Sequence, residues 1–157
     1  MGETGADARG EIENLLYRYA ERIDAGDFAG VADLFAHAEV RAAGTDVVSR
    51  GRDAVFELYA STTRIYEDCG TPKTKHVVTN PIIEVDEAAG RATSRSCFTV
   101  MQCTPKLPLQ VIITGRYRDV FEQADGAWRF ASREMVLEQF GDLSQHLMMD
   151  VESMTRD

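Results

Sequence analysis

The chain has 157 residues, of which 44% are hydrophobic, so it is long enough for one globular domain and short for two. It carries 17 Lys and Arg against 26 Asp and Glu, a formal net charge of −9, which excludes nucleic acid and anionic membranes as favourable partners. We therefore expect a single domain over 1–157, with a core at about 8–140 and a C-terminal tail over 141–157.

The sequence carries no feature of export or of metal binding. The first residues lack the basic start and apolar run of a secretion signal, and no stretch approaches the ~18 apolar residues of a membrane span. Cys69, Cys97 and Cys103 form neither a CxxC pair nor a zinc-like spacing, so free thiols are expected. No nucleotide-binding loop is present. These observations predict a cytoplasmic protein without cofactor or metal.

Three helices are predicted in the N-terminal half. Residues 11–25 place their apolar side chains on one helical stripe, and Gly26 follows where a left-handed residue would end the helix. Asp27 can cap a second helix over 28–35. A third helix is predicted over 51–66 because the helical period returns there. Its expected inward residues are Val55, Phe56, Leu58, Tyr59 and Ile65.

Strands are predicted for most of the remaining chain. Alternation of polar and apolar residues predicts four long strands over 75–86, 91–103, 109–122 and 127–139. A smaller hairpin is predicted over 38–50. The Asp-Gly pair within 123–126 favours a tight turn, so consecutive strands should be antiparallel neighbours. Asn80 and Pro81 interrupt the first long strand, which favours a sheet edge or a bulge. The pattern predicts an α+β fold with helices on one face of a curved sheet.

Asp24 and His76 are the candidate catalytic residues. Asp24 lies in the last turn of the first helix, where the helix dipole disfavours a carboxylate, so either a cationic partner or water should surround it. His76 shares a strand face with Val78 and is either a hydrogen-bonded structural residue or a base. As a pair they would form a dyad in which His76 is the general base and Asp24 orients it. His37 is interpreted as a helix-end cation and His146 as a tail residue.

Two tyrosines and one arginine are candidates for substrate binding. Tyr19 and Tyr59 lie on helical stripes, where an aromatic residue either packs in the core or presents its hydroxyl to a ligand. Arg133 is placed by alternation on the same side as Arg129 and opposite Trp128. It would meet an anionic substrate or form an ion pair on a solvated sheet face, and we favour the ion pair.

Several short segments follow one another in a recognisable order. They are RIDAGDF at 22–28, VADLF at 31–35, KHVVTNP at 75–81, GRYRD at 115–119 and GAWRF at 126–130. In this order and spacing the chain resembles the SnoaL-like branch of the NTF2-like superfamily, from about residue 12 to residue 139. The resemblance implies a cone, in which three helices cover a curved, mainly antiparallel sheet that encloses a pocket.

The resemblance also bears on activity. The superfamily contains dehydratases, dehydrochlorinases, isomerases, polyketide cyclases and noncatalytic subunits, so the fold does not choose among them. Its scytalone dehydratase-like and dehydrochlorinase-like members pair an aspartate at the end of helix 1 with a histidine on the first long strand, as Asp24 and His76 would. Ile23 and Tyr19 stand where those two groups have a tyrosine and a lysine, respectively. Scytalone dehydratase-like sites also have a second histidine on a later strand, whereas here no histidine lies between His76 and His146. The resemblance therefore does not identify the substrate.

Two functions follow from this reading. The first is a cofactor-independent lyase of dehydratase type, or an isomerase, acting on a small apolar or aromatic molecule. The alternative is a noncatalytic ligand-binding or assembly subunit, resembling the small subunit of a ring-hydroxylating dioxygenase. In either case we expect a homodimer or higher oligomer that associates through the outer sheet face, where Met101, Cys103 and Ile113 are expected to point outward.

Overall fold

The computed structural model describes residues 7–149, which form three helices and six strands. The helices are α1 (Ala8–Asp24), α2 (Phe28–Leu34) and α3 (Gly51–Thr62). The strands are β1 (Glu39–Ala42), β2 (Val48–Arg50), β3 (Thr74–Asp86), β4 (Arg91–Thr104), β5 (Leu107–Ala124) and β6 (Ala127–Phe140). Every predicted helix and strand is present, and most of the observed bounds differ from the predicted ones by a few residues.

The six strands form one curved sheet that does not close on itself. Its order is β2-β1-β6-β5-β4-β3, and β3 to β6 form the predicted antiparallel meander. The predicted small hairpin is β1 with β2, and β1 pairs parallel with β6. The helix α1 packs against β3 and β6 on one face of this sheet. The α+β fold with helices over a curved sheet is confirmed, and no helix in the described part of the chain could cross a membrane.

The turn residues explain the strand connections. Asp125 and Gly126 have φ values of 51° and 79°, as a two-residue hairpin turn of the type favoured by Asp-Gly requires. In β3, which is an edge strand, the register with β4 shifts between Thr79 and Ile82, and Asn80 has a φ of 54°. The irregularity predicted from the Asn-Pro pair is therefore present at the edge of the sheet.

The corner between α1 and α2 fixes the end of α1. Gly26 has a φ of 73°, and a Cβ atom there would collide with the carbonyl oxygen of Gly70. Asp27 precedes α2 as its N-cap, and its side chain accepts a hydrogen bond of 2.8 Å from the backbone N–H of Gly30. The predicted helix end and helix cap are both present, and together they hold Asp24 at the terminus of α1.

The end of α3 was predicted too far along the chain. The helix ends at Thr62, because Thr63 is extended and pairs with Leu147 near the C-terminus. Ile65 consequently lies outside the helix and is 37% exposed. Phe56 is also exposed, so the inward face of α3 is formed by Val55 and Tyr59, with Leu58 half-buried. The prediction for Ile65 was wrong because a long-range strand bridge replaced a local helical turn, and the prediction for Phe56 was wrong because this residue lies on the solvent-facing side of α3.

An extra residue in β5 changes which side chains face the core. Val100 of β4 pairs with Ile113, whereas Met101 pairs with Val111, so Ile112 is the inserted residue. Ile112 and Ile113 are both buried as a result. The prediction that Ile113 lies on the outer face was wrong, while Cys103 is exposed and Met101 is half-buried.

Gly115 of β5 is expected to be intolerant of a side chain. A Cβ atom at this position would lie 2.7 Å from the ring of Phe98 and would collide with the carbonyl oxygen of Val136. We expect Gly115→Ala to lower the free energy of unfolding by about 1–3 kcal/mol, measured by urea denaturation. Thr114→Ala, at the half-buried neighbouring position whose hydroxyl bonds to Gln139, should change it by less than about 1 kcal/mol. Equal effects of the two substitutions would contradict the prediction.

Candidate active site

Asp24 and His76 are in direct contact. The Nδ1 atom of His76 lies 2.6 Å from Oδ1 of Asp24, and the backbone N–H of His76 donates a 2.8 Å hydrogen bond to Oδ2 of the same carboxylate. Thr74 donates from its hydroxyl to Oδ1 at 2.9 Å. The end of α1 and the start of β3 thus bring together the two residues that the sequence paired. Their catalytic role stays a prediction.

The protonation of Asp24 sets the tautomer of His76. Burial raises the pKa of the Asp24 carboxyl, but the hydrogen bonds and charge of His76, together with the hydroxyl of Thr74, outweigh burial and lower this pKa below its ordinary value. The carboxylate is therefore ionised at neutral pH and can only accept hydrogen bonds. In the neutral form of His76, Nδ1 must be the donor, and Nε2 then carries the lone pair. The two side chains are 6% and 12% exposed, so water competes little for this pair.

Tyr19 and Tyr59, the two predicted tyrosines, lie next to each other, and Tyr19 contacts His76. The ring of Tyr19 meets the imidazole edge-to-face with 6.1 Å between ring centroids, and its hydroxyl lies 3.0 Å from that of Tyr59. Tyr117, which sequence reasoning missed, packs edge-to-face on Tyr19 at 5.8 Å. Burial raises the pKa values of Tyr59 and Tyr117 well above the ordinary value. Both phenols therefore stay neutral and can donate hydrogen bonds.

His146 is a buried residue near the dyad and not part of a free tail. Its side chain is buried, and its Nδ1 atom has no hydrogen-bond partner among residues 7–149. Burial, and then the charge of His76, lower its pKa to about 4, against an opposing effect of Asp24. The interpretation of His146 as a tail residue was wrong. Leu143 and Leu147 flank it at helical spacing, which is the sequence signal for a packed turn.

The segment carrying His146 is held by backbone groups. The carbonyl of His146 accepts a 2.8 Å hydrogen bond from the backbone N–H of Arg64, and the N–H of Met148 donates to the carbonyl of Thr62 at 2.9 Å. The carbonyl of Gln145 accepts from Gln102 at 3.0 Å and from the hydroxyl of Tyr66 at 2.7 Å. The segment is thereby fixed beside the start of β3 without any contribution from the imidazole.

Arg133 forms an ion pair, as favoured, but in the core instead of on a solvated face. Its Nε and Nη2 atoms donate to the two carboxylate oxygens of Asp119 at 2.7 and 2.8 Å, and both side chains are 0% exposed. Its guanidinium lies 3.9 Å from the ring centroid of Tyr117 and 4.4 Å from that of Tyr19. Burial opposes its charge, but Asp119 outweighs this effect and raises the pKa of Arg133 above its ordinary value.

A bulge in β6 explains why alternation misplaced Arg133. Val120 of β5 pairs with Ser132, whereas Phe121 pairs with Phe130, so Ala131 is an extra residue in β6. Beyond this residue the two faces exchange, and Arg133 points to the same side as Phe130 instead of the opposite one.

Comparison with known proteins places this geometry in a family. A family model for the SnoaL-like domain matches residues 5–134, which is most of the chain. The protein belongs to the SnoaL-like domain family. A search of curated proteins found no match to this SnoaL-like chain.

Solved structures are similar to this SnoaL-like protein over most of its length. Rv3472 from Mycobacterium tuberculosis, a protein of unknown function, is 28% identical with a TM-score of 0.68, covering 84% of this chain and 72% of its own. A candidate scytalone dehydratase from Novosphingobium aromaticivorans is 26% identical with a TM-score of 0.67, covering 85% and 86%. A candidate aromatic ring hydroxylase from the same organism is 18% identical with a TM-score of 0.69, covering 91% and 99%, and shows the fold alone.

Other reactive groups of the SnoaL-like domain lie outside this arrangement. Among residues 7–149 no group of three or more His, Cys, Asp or Glu side chains is placed to hold a metal ion. Cys69 and Cys103 are exposed thiols, and Cys97 is half-buried. His37 is exposed at the surface, which makes it a matched control for substitutions at the other two histidines.

The dyad should govern part of the acid stability. Because the pKa of Asp24 is lowered on folding, its stabilising contribution is present above its unfolded pKa of about 3.9 and is lost as pH falls through the folded value. His76→Ala removes the partner, so the Asp24 pKa should rise and acid destabilisation should begin at a higher pH. Carboxyl ¹³C NMR titration and urea midpoints across the acid range measure both effects. His37→Ala should leave them unchanged, and an unaltered Asp24 pKa in His76→Ala would contradict the prediction.

Proposed function

We propose that this SnoaL-like protein is a cofactor-independent lyase of dehydratase type or an isomerase, with a small apolar or aromatic molecule as its substrate. The observation that carries the proposal is the 2.6 Å contact between Nδ1 of His76 and Oδ1 of Asp24. Because Nδ1 donates to the carboxylate, Nε2 is available as a general base, and the buried negative charge stabilises the imidazolium that forms.

The reaction begins with removal of a proton from carbon next to a carbonyl group. The proton passes to Nε2 of His76, the C–H electron pair becomes a C=C bond, and the carbonyl π pair moves onto oxygen to give an enolate. In a lyase reaction the pair on the enolate oxygen re-forms the carbonyl, the enolate C=C pair forms a new C=C bond to the next carbon, and the C–O bond at that carbon breaks. The departing oxygen keeps the electron pair of that bond and takes the proton from His76 as water is formed. In an isomerase reaction the enolate is conjugated with a second C=C bond, and the proton returns to the far carbon of this dienolate as the carbonyl re-forms.

The surroundings of the dyad suit this chemistry and this class of substrate. The ring of Tyr19 packs against His76, Tyr117 packs on Tyr19, and Phe98 stacks on Tyr117, and this aromatic cluster favours a flat or apolar molecule. The raised pKa values of Tyr59 and Tyr117 keep their hydroxyl groups protonated, so either can donate a hydrogen bond to developing negative charge. The similarity to a candidate scytalone dehydratase at 26% identity supports the dehydratase type.

The first test requires no knowledge of the natural substrate. 2-Tetralone, an aromatic bicyclic ketone with acidic hydrogens, is incubated with the protein in deuterated buffer and its deuterium content is followed by NMR. We expect exchange above the buffer rate with the wild-type protein and with His37→Ala, whose substituted residue is exposed. Exchange equal to the buffer rate with 2-tetralone and with simpler cyclic ketones would contradict the proposed enzymatic function.

The alternative proposal is a noncatalytic ligand-binding or assembly subunit that associates through its outer sheet face. Ion pairs cover part of this face, among them Arg116 with Glu138 and Arg118 with Glu134. These ion pairs are closed within one chain, so association would use the apolar side chains that stay exposed on the strands, among them Leu109, Val111 and Phe140. Light scattering at micromolar concentration should give the mass of a dimer or larger oligomer, and a monomeric mass would refute the association.

The cytoplasmic location belongs to the same proposal. Exposed thiols at Cys69 and Cys103 are compatible with a reducing compartment. Recovery of the protein in the cytoplasmic fraction of its source cells tests this location, and recovery in a secreted or periplasmic fraction would contradict it.

A further inference from the structure

His146 is a buried imidazole that the proposed proton transfer does not use. It is 8% exposed, and its Nδ1 atom has no hydrogen-bond partner among residues 7–149. The carbonyl of its neighbour Gln145 accepts a hydrogen bond from Gln102, which pairs with Thr74 in the sheet, and the hydroxyl of Thr74 bonds to Asp24. A second imidazole therefore lies in a segment next to the dyad, although it comes from a distant part of the chain.

A structural role does not account for this side chain. The segment around His146 is fixed by the backbone groups of Gln145, His146 and Met148, which bond to Gln102, Arg64 and Thr62. None of these bonds involves the imidazole. A buried nitrogen without a partner is costly, and native structures retain few of them. The missing partner is accounted for if a ligand supplies it.

The protonation state of His146 defines what that ligand can be. Burial and the neighbouring charge of His76 lower its pKa to about 4, so the ring is neutral near pH 7. A neutral imidazole has one N–H donor and no charge to attract an anion. It therefore suits an uncharged oxygen acceptor such as a carbonyl, which a neutral imidazole can polarise.

We propose that His146 donates a hydrogen bond from its ring to the carbonyl oxygen of the substrate, and that the substrates are therefore uncharged ketones, not halogenated hydrocarbons. The inference rests on the proposed function of the His76 and Asp24 site. When Nε2 of His76 takes the proton from carbon, the electron pair reaches the carbonyl oxygen, and the His146 hydrogen bond strengthens as negative charge grows there. The proton of His146 stays on its nitrogen.

An acceptor-only probe, compared between variants of His146, separates this hydrogen bond from those that the tyrosine hydroxyls could donate. The carbonyl of 2-tetralone can only accept, and Nε2 of His76 carries a lone pair, so His76 does not bind this oxygen. Tetralin has the same two fused rings without the oxygen. Binding of both compounds is measured by NMR titration with the wild-type protein, with His146→Phe, which keeps a ring without a donor, and with His146→Gln, which keeps a donor.

We expect the wild-type protein to bind 2-tetralone at least about tenfold more tightly than tetralin, and His146→Phe to remove most of this preference. His146→Gln should restore part of it, and His37→Ala should leave it unchanged. The ¹⁵N resonances of His146 should shift when 2-tetralone binds and not when tetralin binds. A preference unchanged in His146→Phe, unshifted ¹⁵N resonances, or no binding of the ketone at millimolar concentration would overturn the inference.

The binding experiment tests the role of His146, and the exchange experiment tests the proposed enzymatic function, so their outcomes are distinguishable. If His146 controls ketone binding but no deuterium enters the ketone, the proposed hydrogen bond is supported and the enzymatic proposal is contradicted. If deuterium enters at the wild-type rate in His146→Phe, with the same Michaelis constant, the enzymatic proposal stands and His146 has no part in binding the carbonyl. Circular dichroism of each variant identifies loss of folding, and His146→Gln then supplies the decisive comparison.

Discussion

His76→Ala is expected to lower the rate of deuterium exchange into 2-tetralone by about 10²–10⁴-fold, because the base that accepts the proton is removed. The buried carboxylate of Asp24 would remain, but it lies at the end of α1 and bonds to Thr74 instead of facing the ketone. Exchange is measured by NMR at neutral pH beside His37→Ala, which should retain the full rate. Full activity in His76→Ala would contradict the role of His76 as the base and would favour the proposal of a noncatalytic subunit.

Asp24→Asn belongs to the same experiment, because it keeps the size of the side chain and removes its charge. It should cost a large part of the rate, since the amide does not stabilise the imidazolium and can favour the wrong tautomer. The double variant with His76→Ala should be little slower than His76→Ala alone, because groups that act as a unit are not additive. Independent, additive losses would contradict a dyad.

Arg133→Met should lower the free energy of unfolding by about 3–5 kcal/mol, because it leaves the Asp119 carboxylate buried without its cation. Both side chains of this pair are 0% exposed, and four aromatic rings lie within 5.5 Å of the guanidinium carbon. Urea denaturation at neutral pH measures the loss. Arg116→Met is the matched control, since Arg116 pairs with Glu138 on the exposed face and should contribute less than about 1 kcal/mol.

The double variant Arg133→Met with Asp119→Leu separates the ion pair from packing. If the loss comes from an unpaired buried charge, replacing both partners by apolar residues should restore much of the stability. If it comes from packing of the guanidinium against Tyr117, the double variant should stay as unstable as the single one. A loss in Arg133→Met no larger than in Arg116→Met would contradict the prediction.

Local signals in the sequence were sufficient for the helix end and the strand that carry Asp24 and His76. Gly26 and the cap at Asp27 end α1 at one place, and alternation after Lys75 sets the side on which His76 lies. Each of these features depends on residues a few positions apart. The contact between Asp24 and His76 was inferred because each residue needed a partner and the family resemblance placed them together.

The missed features depend on contacts between distant parts of the chain. One inserted residue, Ala131, exchanges the faces of β6 and carries Arg133 into the core, and nothing in the local alternation marks it. Likewise α3 stops at Thr62 because Thr63 pairs with Leu147, which also fixes the segment that carries His146. These partners are near neighbours only after the sheet has formed, so residue spacing alone does not show them.

The parallel pairing of β1 with β6 has a consequence for the order of folding. Glu39 pairs with Ser132 and Ala42 with Met135, so the early hairpin joins the sheet only when the last strand is in place. During synthesis β1 and β2 are complete long before their partner leaves the ribosome. A contact between such distant segments slows folding, because the loop must close before the contact stabilises it. The hairpin therefore stays unpaired at its edge until β6 is in place. In chains whose synthesis stops before β6, this edge is exposed and can associate with other chains.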